Sequence, residues 1–241
     1  MRLSIIIPAY NEEKFISGCL EHVQAEILHC NDAGLVDVLV IDNASTDQTA
    51  AIAGTYHGVR VVHETQKGLT RARQRALNEA QGDILAFVDA DTRMPTGWIK
   101  RIQTLFATNP NVVCVSGPYI YYDAPMLNRI FVRLYWTLLA LPTYWITRYM
   151  VVGGNFAARK PALVEIGGFD TNIEFYGEDT NIARRLSAVG KVKFSMRLPM
   201  PTSSRRLHAE GLWGTALKYV ANFLSEVVLK RPVTRSYRDI R

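Results

Sequence analysis

"AFVDADT", Ala86 to Thr92, ends a run that reads as a buried strand with two carboxylates, Asp89 and Asp91. Acids at the exit of an apolar strand are costly unless something gathers there, so the stretch indicates both the kind of sheet and the end of it that carries chemistry. Upstream, "LSIIIPAY", "VDVLVID" and "VRVVHE" are likewise short, β-branched and almost continuously apolar, as parallel strands covered on both faces are. Between them, Glu12 to Leu28, Thr46 to Thr55 and Gly68 to Ala80 have helical spacing. The alternation predicts an α/β fold, a Rossmann-like open and mainly parallel sheet flanked by helices with right-handed crossovers. Ligands of such sheets collect beyond the C-terminal ends of the strands. Pro8 to Glu12, Asp42 to Asp47 and Asp89 to Asp91 all fall there and should face one crevice.

The first helix is expected to start at Asn11, with Glu12 and Glu13 in its first turn, and the second to be capped by Ser45 or Thr46. Capping does not account for Asp42, which ends a strand before a cap is needed. Downstream come an amphipathic helix from Trp98 to Phe106 and the strand "VVCVSG". "GGNFAARKPALVEIGGFD" reads as a glycine turn, a strand, a helix begun near Pro161 and a second glycine turn. "YGEDTNIARRLSAVGKVKF" reads as a helix opened by acids and closed by Gly190, then a strand.

With 241 residues, 48% apolar and 21% charged, the chain can build one substantial core. A single domain over 1–241 is expected, with residues 1–118 as one half and 119–241 as the other, the latter carrying a C-terminal helical extension. Cys19, Cys30 and Cys114 are odd in number and follow no metal-ligand spacing, which points to reduced thiols and a cytoplasmic setting. "MRLSIIIPAYNEE" lacks a leader's apolar length and small-residue cleavage site and is taken as the first core strand. The longest apolar region, Ile130 to Val152, contains Arg133, Pro142 and Arg148, and the 14 residues between the arginines fall short of the roughly 20 a spanning helix needs. Two readings fit it: a helix pair broken at Pro142 lying on a membrane interface, or a helical hairpin buried against the sheet. The net charge of +6 is matched by the excess from Met196 to Arg241, nine basic against three acidic residues. Such a tail attracts phosphates or anionic lipid, or is simply a solvated face.

Carboxylates at i and i+2 of a strand exit can converge on one point, and oxygen-only ligation suits Mg²⁺ or Mn²⁺ rather than zinc. A hard divalent ion there would clamp a diphosphate. "SIIIPAYNEE", "VLVIDNASTDQT", "GLTRARQRALNEAQGDILAFVDADT", "GGNFAARKPALVEIGGFD" and "GEDTNIARRL", in this order from Ser4 to Leu186, together resemble family 2 glycosyltransferases of the GT-A fold, in particular small single-domain bacterial members.

The resemblance implies an inverting, metal-dependent transfer of a sugar from a nucleoside diphosphate sugar, UDP first among them, to a hydroxyl acceptor. By the same resemblance, Pro8, Ala9, Tyr10 and Glu12 surround the base and ribose, Asp42 bonds the base, and Arg73 reaches the nucleotide. Asp89 is the ribose-side or metal-side acid and Asp91 the direct metal ligand. Asp179 matches the general base, with Glu178 beside it as an acceptor-orienting or alternative acid; a first-turn helix acid is the plain structural alternative for Asp179. Gly153, Gly154 and Asn155 match the acceptor-side turn, with a plain tight turn as the structural alternative for the glycines. Asn181 departs from a frequent Asp after "GED", so an acceptor contact usually made by that acid is in doubt.

The Gln-x-x-Arg-Trp motif of processive members is missing, and "TSSRRLHAEGLW", Thr202 to Trp213, stands instead, which favours single addition over polymerisation. Within it Arg205 and Arg206 suit diphosphate contacts and His208 a further metal ligand or a structural role. Two other classes compete: a noncatalytic sugar-nucleotide-binding or membrane-associated scaffold of the same fold, which should have lost a motif acid and has not, and a nucleic-acid module, for which the tail "KRPVTRSYRDIR" offers no base-reading arrangement. No nucleic-acid partner is expected. Aromatic and basic residues from Leu127 to Tyr149, with Trp213 to Lys230 as an amphipathic helix, suggest a lipid-linked or membrane-proximal acceptor, a cell-envelope glycan being the other option, and peripheral contact with the inner face of the cell membrane.

Overall fold

The computed structural model describes residues 1–31, 36–173, 177–211 and 225. Nine strands divide into a seven-stranded sheet and a two-stranded ribbon among these residues. β1 (Leu3–Ala9), β2 (Val36–Asp42), β3 (Val59–His63) and β4 (Ile84–Val88) are joined by α1 (Ile16–Cys30), α2 (Thr49–Ala53) and α3 (Leu69–Glu79). They lie parallel in the order β3-β2-β1-β4. After α4 (Trp98–Thr108) follow β5 (Val112–Ser116), β6 (Tyr119–Tyr121), α5 (Met126–Tyr135), α6 (Leu141–Thr147) and β7 (Asn155–Arg159). The chain continues through α7 (Lys160–Glu165), α8 (Glu178–Ser187), β8 (Lys191–Phe194), β9 (Met200–Thr202) and α9 (Arg205–Glu210).

β7 runs antiparallel between β4 and β5, and β8 closes the edge parallel to β5. Residues of both 1–118 and 119–241 thus share one sheet. β6 and β9 pair in parallel beside it.

Each central strand feeds two cores by simple alternation. Leu3, Ile5 and Ile7 of β1 and Ile84, Ala86 and Val88 of β4 pack under α1 and α4, against Leu20, Val23, Trp98 and Ile102. Ile6, Leu85 and Phe87 face the opposite way, towards Ala76 and Leu77 of α3, Leu163 of α7 and Leu186 of α8. Continuous apolar runs are therefore required, since both faces of the sheet are dry. Phe87 stacks on Phe156 at 4.7 Å between ring centroids and meets Phe169 edge-on at 5.3 Å. Glu26 of α1 is buried because its carboxylate accepts the Gly97 and Ile99 backbone N–H groups, at 2.7 and 2.9 Å, and so caps α4.

Pro8 has no N–H to give a ladder, yet sits in a central strand. Pairing of β1 with β4 ends at Ile6–Phe87, and beyond it Pro8 faces only Ile41 of β2. The two strands part there, which opens the crevice.

Local expectations at the crevice need correction. α1 starts at Ile16 rather than near Asn11, and the Glu12 carboxylate is drawn into the interior instead of sitting in a first helical turn. Asn11 takes a left-handed backbone (φ 52°), and its side-chain oxygen accepts the Thr46 N–H at 2.8 Å. α2 starts at Thr49, not at a Ser45 or Thr46 cap; Asp47 instead accepts the Thr49 N–H at 2.9 Å. The region around Pro142 is not broken there: α5 runs through a π-helical turn, Trp136–Ala140, into α6, with Pro142 in the first turn of α6 where its missing N–H is harmless. Nor is this arm buried against the sheet, for most of its large apolar side chains are exposed. Among the described residues no helix is long and apolar enough to cross a membrane. Cys19, Cys30 and Cys114 are free thiols. Residues 212–241 apart from Ser225, and with them the expected Trp213 to Lys230 helix and the basic tail, lie outside the described residues.

Trp98 ties the two halves of the sheet, being fully buried and donating its indole N–H to Asn155 at 3.1 Å. Trp98→Ala is expected to cost about 3–5 kcal/mol of stability in urea unfolding followed by circular dichroism; a loss below about 1 kcal/mol would remove Trp98 from that role.

Candidate active site

The exits of β1, β2 and β4 are stitched together by side chains. The Asn43 N–H donates to the Ala9 carbonyl at 2.8 Å, the Glu12 N–H to Thr49 Oγ1 at 2.7 Å, and the Gly68 N–H at the head of α3 to Asn43 Oδ1 at 2.7 Å. Pro8 and Ala9 are buried within this wall, and Tyr10 stands at its edge with the Lys67 ammonium 3.9 Å above the ring. Asp42 closes β2 with 5% of its surface exposed. Its Oδ2 lies 2.9 Å from His63 Nδ1, while Oδ1 is buried without a partner. An acceptor lone pair left without a partner at the exit of β2 fits a ligand N–H.

At the exit of β4, Asp89 and Asp91 are held differently. Asp89 accepts the Tyr119 hydroxyl at 2.7 Å and has Arg73 at 4.0 Å, with its side chain 38% exposed. Asp91 is buried, accepts Thr202 Oγ1 at 3.2 Å, and lies 2.9 Å from Nε of Arg205. The same guanidinium holds Glu12 with both terminal nitrogens, at 2.8 and 2.7 Å. Burial pushes the Asp91 carboxyl up to about 6; Arg205 opposes the rise, while Asp89 and Glu12 add to it.

Asp89 and Asp91 thus form an all-oxygen donor pair of the kind that fits Mg²⁺ or Mn²⁺, with Arg205 and Arg73 beside it. His208, expected as a further ligand, is not gathered with them: among the described residues no three His, Cys, Asp or Glu side chains come together to hold a metal, and His208 Nδ1 is engaged with Ser204 Oγ at 3.3 Å. Arg205, expected on a diphosphate, is spent on two carboxylates here. Arg206 follows it in α9.

The third group lies at the start of α8. Arg73, 1% exposed on α3, is ion-paired with Glu178 and donates to the Gly153 carbonyl at 2.8 Å. Gly153 and Gly154 explain themselves sterically. A Cβ on Gly153 would run into the Glu178 carboxyl and Arg73, and one on Gly154 would overlap Asp89 and the Tyr119 hydroxyl. Their bareness lets charged side chains converge, whereas the sequence suggested room for substrate. Asn155, expected beside the acceptor, is 1% exposed, and its amide is used in the interior, donating to the Leu198 carbonyl at 2.8 Å and accepting from Trp98. Asp179, next along α8, is half-buried, and its carboxyl is raised by that burial, with hydrogen bonds from Thr180 in the opposite sense.

Tyr119, Thr202 and His63 went unnoticed in the sequence although each bonds a motif acid. No local pattern marks them. Only the pairing of β6 with β9 beside the main sheet brings Tyr119 and Thr202 to the Asp89–Asp91 turn.

Burial pushes the Glu178 carboxyl up to about 7 against the pull of Arg73. The folded chain holds that proton more tightly than the unfolded one, so the stability it lends is full below the ordinary carboxylate value and lost as pH rises through about 7. Urea unfolding between about pH 5 and pH 8 should show wild-type stability falling, with a shallower slope in Glu178→Gln; equal slopes would refute it.

The profile of Glycosyl transferase family 2 matches residues 4–167. Glycosyltransferase AglE of Haloferax volcanii is 32% identical over 125 residues, covering 49% of this chain and 40% of that protein. Among solved structures, the mannosyltransferase PcManGT from Pyrobaculum calidifontis, in complex with GDP-Man and Mn²⁺, superposes with a TM-score of 0.71 at 22% identity, covering 95% of this chain and 64% of that one. Glucosyl-3-phosphoglycerate synthase from Mycobacterium tuberculosis, in complex with Mn²⁺, UDP-glucose and phosphoglyceric acid, superposes with a TM-score of 0.58 at 24% identity, covering 93% and 79%. The shared fold is that of GT-A glycosyltransferases. The chain spans less than half the length of AglE and under two thirds of PcManGT.

Proposed function

The chain belongs to glycosyl transferase family 2, and from that premise we propose that it moves a sugar from a nucleoside diphosphate sugar, UDP-linked in the first instance, to a hydroxyl acceptor with inversion at the anomeric carbon. The observation that carries the proposal is the Asp89–Asp91 pair at the exit of β4, with Arg73 reaching from Asp89 to Glu178, the neighbour of Asp179, and with Asp42 at the exit of β2.

In this scheme the open Oδ1 of Asp42 accepts the imide N–H of the base, and the half-exposed Asp89 meets the ribose or the metal side of the diphosphate. Asp91 and Asp89 would hold the divalent ion, which when bound would supply the positive charge that stabilises the departing diphosphate. The Arg205 guanidinium, 2.9 Å from Asp91, would be placed to meet a phosphate oxygen of the donor. Asp179 takes the acceptor's proton as its oxygen attacks the anomeric carbon from the side opposite the leaving group. Its raised proton affinity makes it a stronger base than an ordinary carboxylate. Glu178, locked to Arg73, fixes the start of α8 and hence the base. The relatives' GDP-Man, UDP-glucose and Mn²⁺ complexes support the donor class and the ion.

Calorimetric titration with UDP and with GDP, each with Mn²⁺ and with EDTA, tests the donor site. Metal-dependent UDP binding, lost in Asp91→Ala, is expected; GDP binding alone would overturn the choice of base, and metal-independent binding the role of Asp91. For the base, Asp179→Asn should lower kcat by about 10²- to 10⁴-fold with nucleotide binding intact. Wild-type transfer should fall as pH drops through a value above the ordinary carboxylate range, because the protonated acid cannot accept a proton. Full transfer by Asp179→Asn would remove it as base.

A further inference from the structure

The helical arm from α5 through the π-helical turn to α6 leaves one side bare. Met126, Leu127, Leu138, Leu139, Trp145 and Ile146 each expose 60% or more of their surface, and Ile130, Phe131 and Leu134 over 40%. Its other side is fastened to the body: Ala140 is buried, the Trp136 indole donates to the Tyr119 carbonyl at 3.0 Å and stacks on Phe194, and the Tyr144 hydroxyl donates to the Val192 carbonyl at 3.3 Å. A contiguous apolar face held rigidly towards solvent marks a contact surface. Arg129, Arg133 and Arg148 are all exposed on the same arm, and no acid occurs between Asp123 and Glu165.

We infer that this arm is a membrane-docking surface, with its apolar side chains in the headgroup and acyl boundary of an anionic bilayer and its arginines among the lipid phosphates. The charge pattern selects this occupant. A second copy, meeting the first across a two-fold axis, would bring like-charged arginines together. Residues 212–241, with six basic against two acidic residues, carry the same sign and suit the arm equally poorly. An anionic surface complements both the apolar and the charged features, and the arm would lie in the interface rather than span it.

The arm also abuts the candidate site. Tyr119, whose carbonyl accepts the Trp136 indole, donates its hydroxyl to Asp89 at 2.7 Å, and the Tyr135 phenol, next to Trp136 on the arm, feels the Asp179 carboxylate. Resting on the transferase reading, this placement has a consequence for substrate: the acceptor hydroxyl is carried on a lipid and presented from the membrane plane.

The docking itself is tested without catalysis. The whole chain is mixed with vesicles of phosphatidylcholine alone and of phosphatidylcholine with phosphatidylglycerol, and followed by co-sedimentation and tryptophan emission. Expected are binding to the anionic vesicles, weakened by salt, and a blue shift that Trp145→Phe largely removes. Leu138→Glu and Ile146→Glu should weaken partition by about tenfold or more, and Arg129→Ala or Arg133→Ala by about fivefold each on anionic vesicles only. All four positions are exposed, and unchanged circular dichroism verifies folding. No vesicle binding, or binding indifferent to these substitutions, overturns the inference. So does a lipid-free dimer dissociated by Leu138→Glu. Titration of the same samples with UDP and with GDP, each with Mn²⁺, separates the two claims: binding of either nucleotide without vesicle binding sinks the docking alone, and vesicle binding without binding of either nucleotide sinks the transferase reading alone.

Discussion

The ion pair between Arg73 and Glu178 is the joint on which the site depends. It binds α3 to the first turn of α8 beneath the strand exits, where little water reaches either partner. A buried pair of this kind contributes little net stability over an apolar substitute, but removing one partner strands a charge, so its value lies in geometry. Arg73 also sits 5.7 Å from the Phe156 ring and bonds the Gly153 carbonyl, so one guanidinium fixes the glycine turn, the sheet and the helix bearing Asp179. The two glycines are the spatial condition for that convergence.

Arg205 plays a comparable part on the other side. Its guanidinium lies between Glu12 and Asp91, two buried acids that would otherwise repel each other, and it rests against the Phe15 ring at 4.7 Å. α9 is tied down from the Asp123 side as well, through Ser203 Oγ and the Ser204 N–H at 2.8 and 2.7 Å. The acids of the strand exits thus have a cation of the protein's own at hand, and burial of Glu12, which looked like a helix acid, follows from it.

Much of this was legible in the sequence because it is periodic. The alternating strands, the helices α3, α4 and α8, and the crevice at the ends of β1, β2 and β4 follow from local patterns of apolar and small residues. What stayed hidden was long-range. Asn11 and Asp47 carry capping chemistry, but their bonds run between the first and second strand exits or inside a tight loop, and α1 and α2 start later as a result. Asn155 resembled a substrate-side polar residue, and only the packing of Trp98 against β7 shows its amide to be internal. The arm around Pro142 read equally well as core or surface, since hydrophobicity alone does not say which side of a helix has a neighbour.

The position of β7 has a consequence for how the chain acquires its shape. β4 pairs on one side with β1, close in sequence, but its other edge has to wait for residues 155–159, which emerge after β5, β6 and the whole helical arm. During synthesis the β4 edge, one of the most apolar in the molecule, stays open, an invitation to pairing with other chains. High sequence separation also slows closure, because loop entropy must be spent before the contact forms. A fragment ending near residue 118 would retain that open edge permanently.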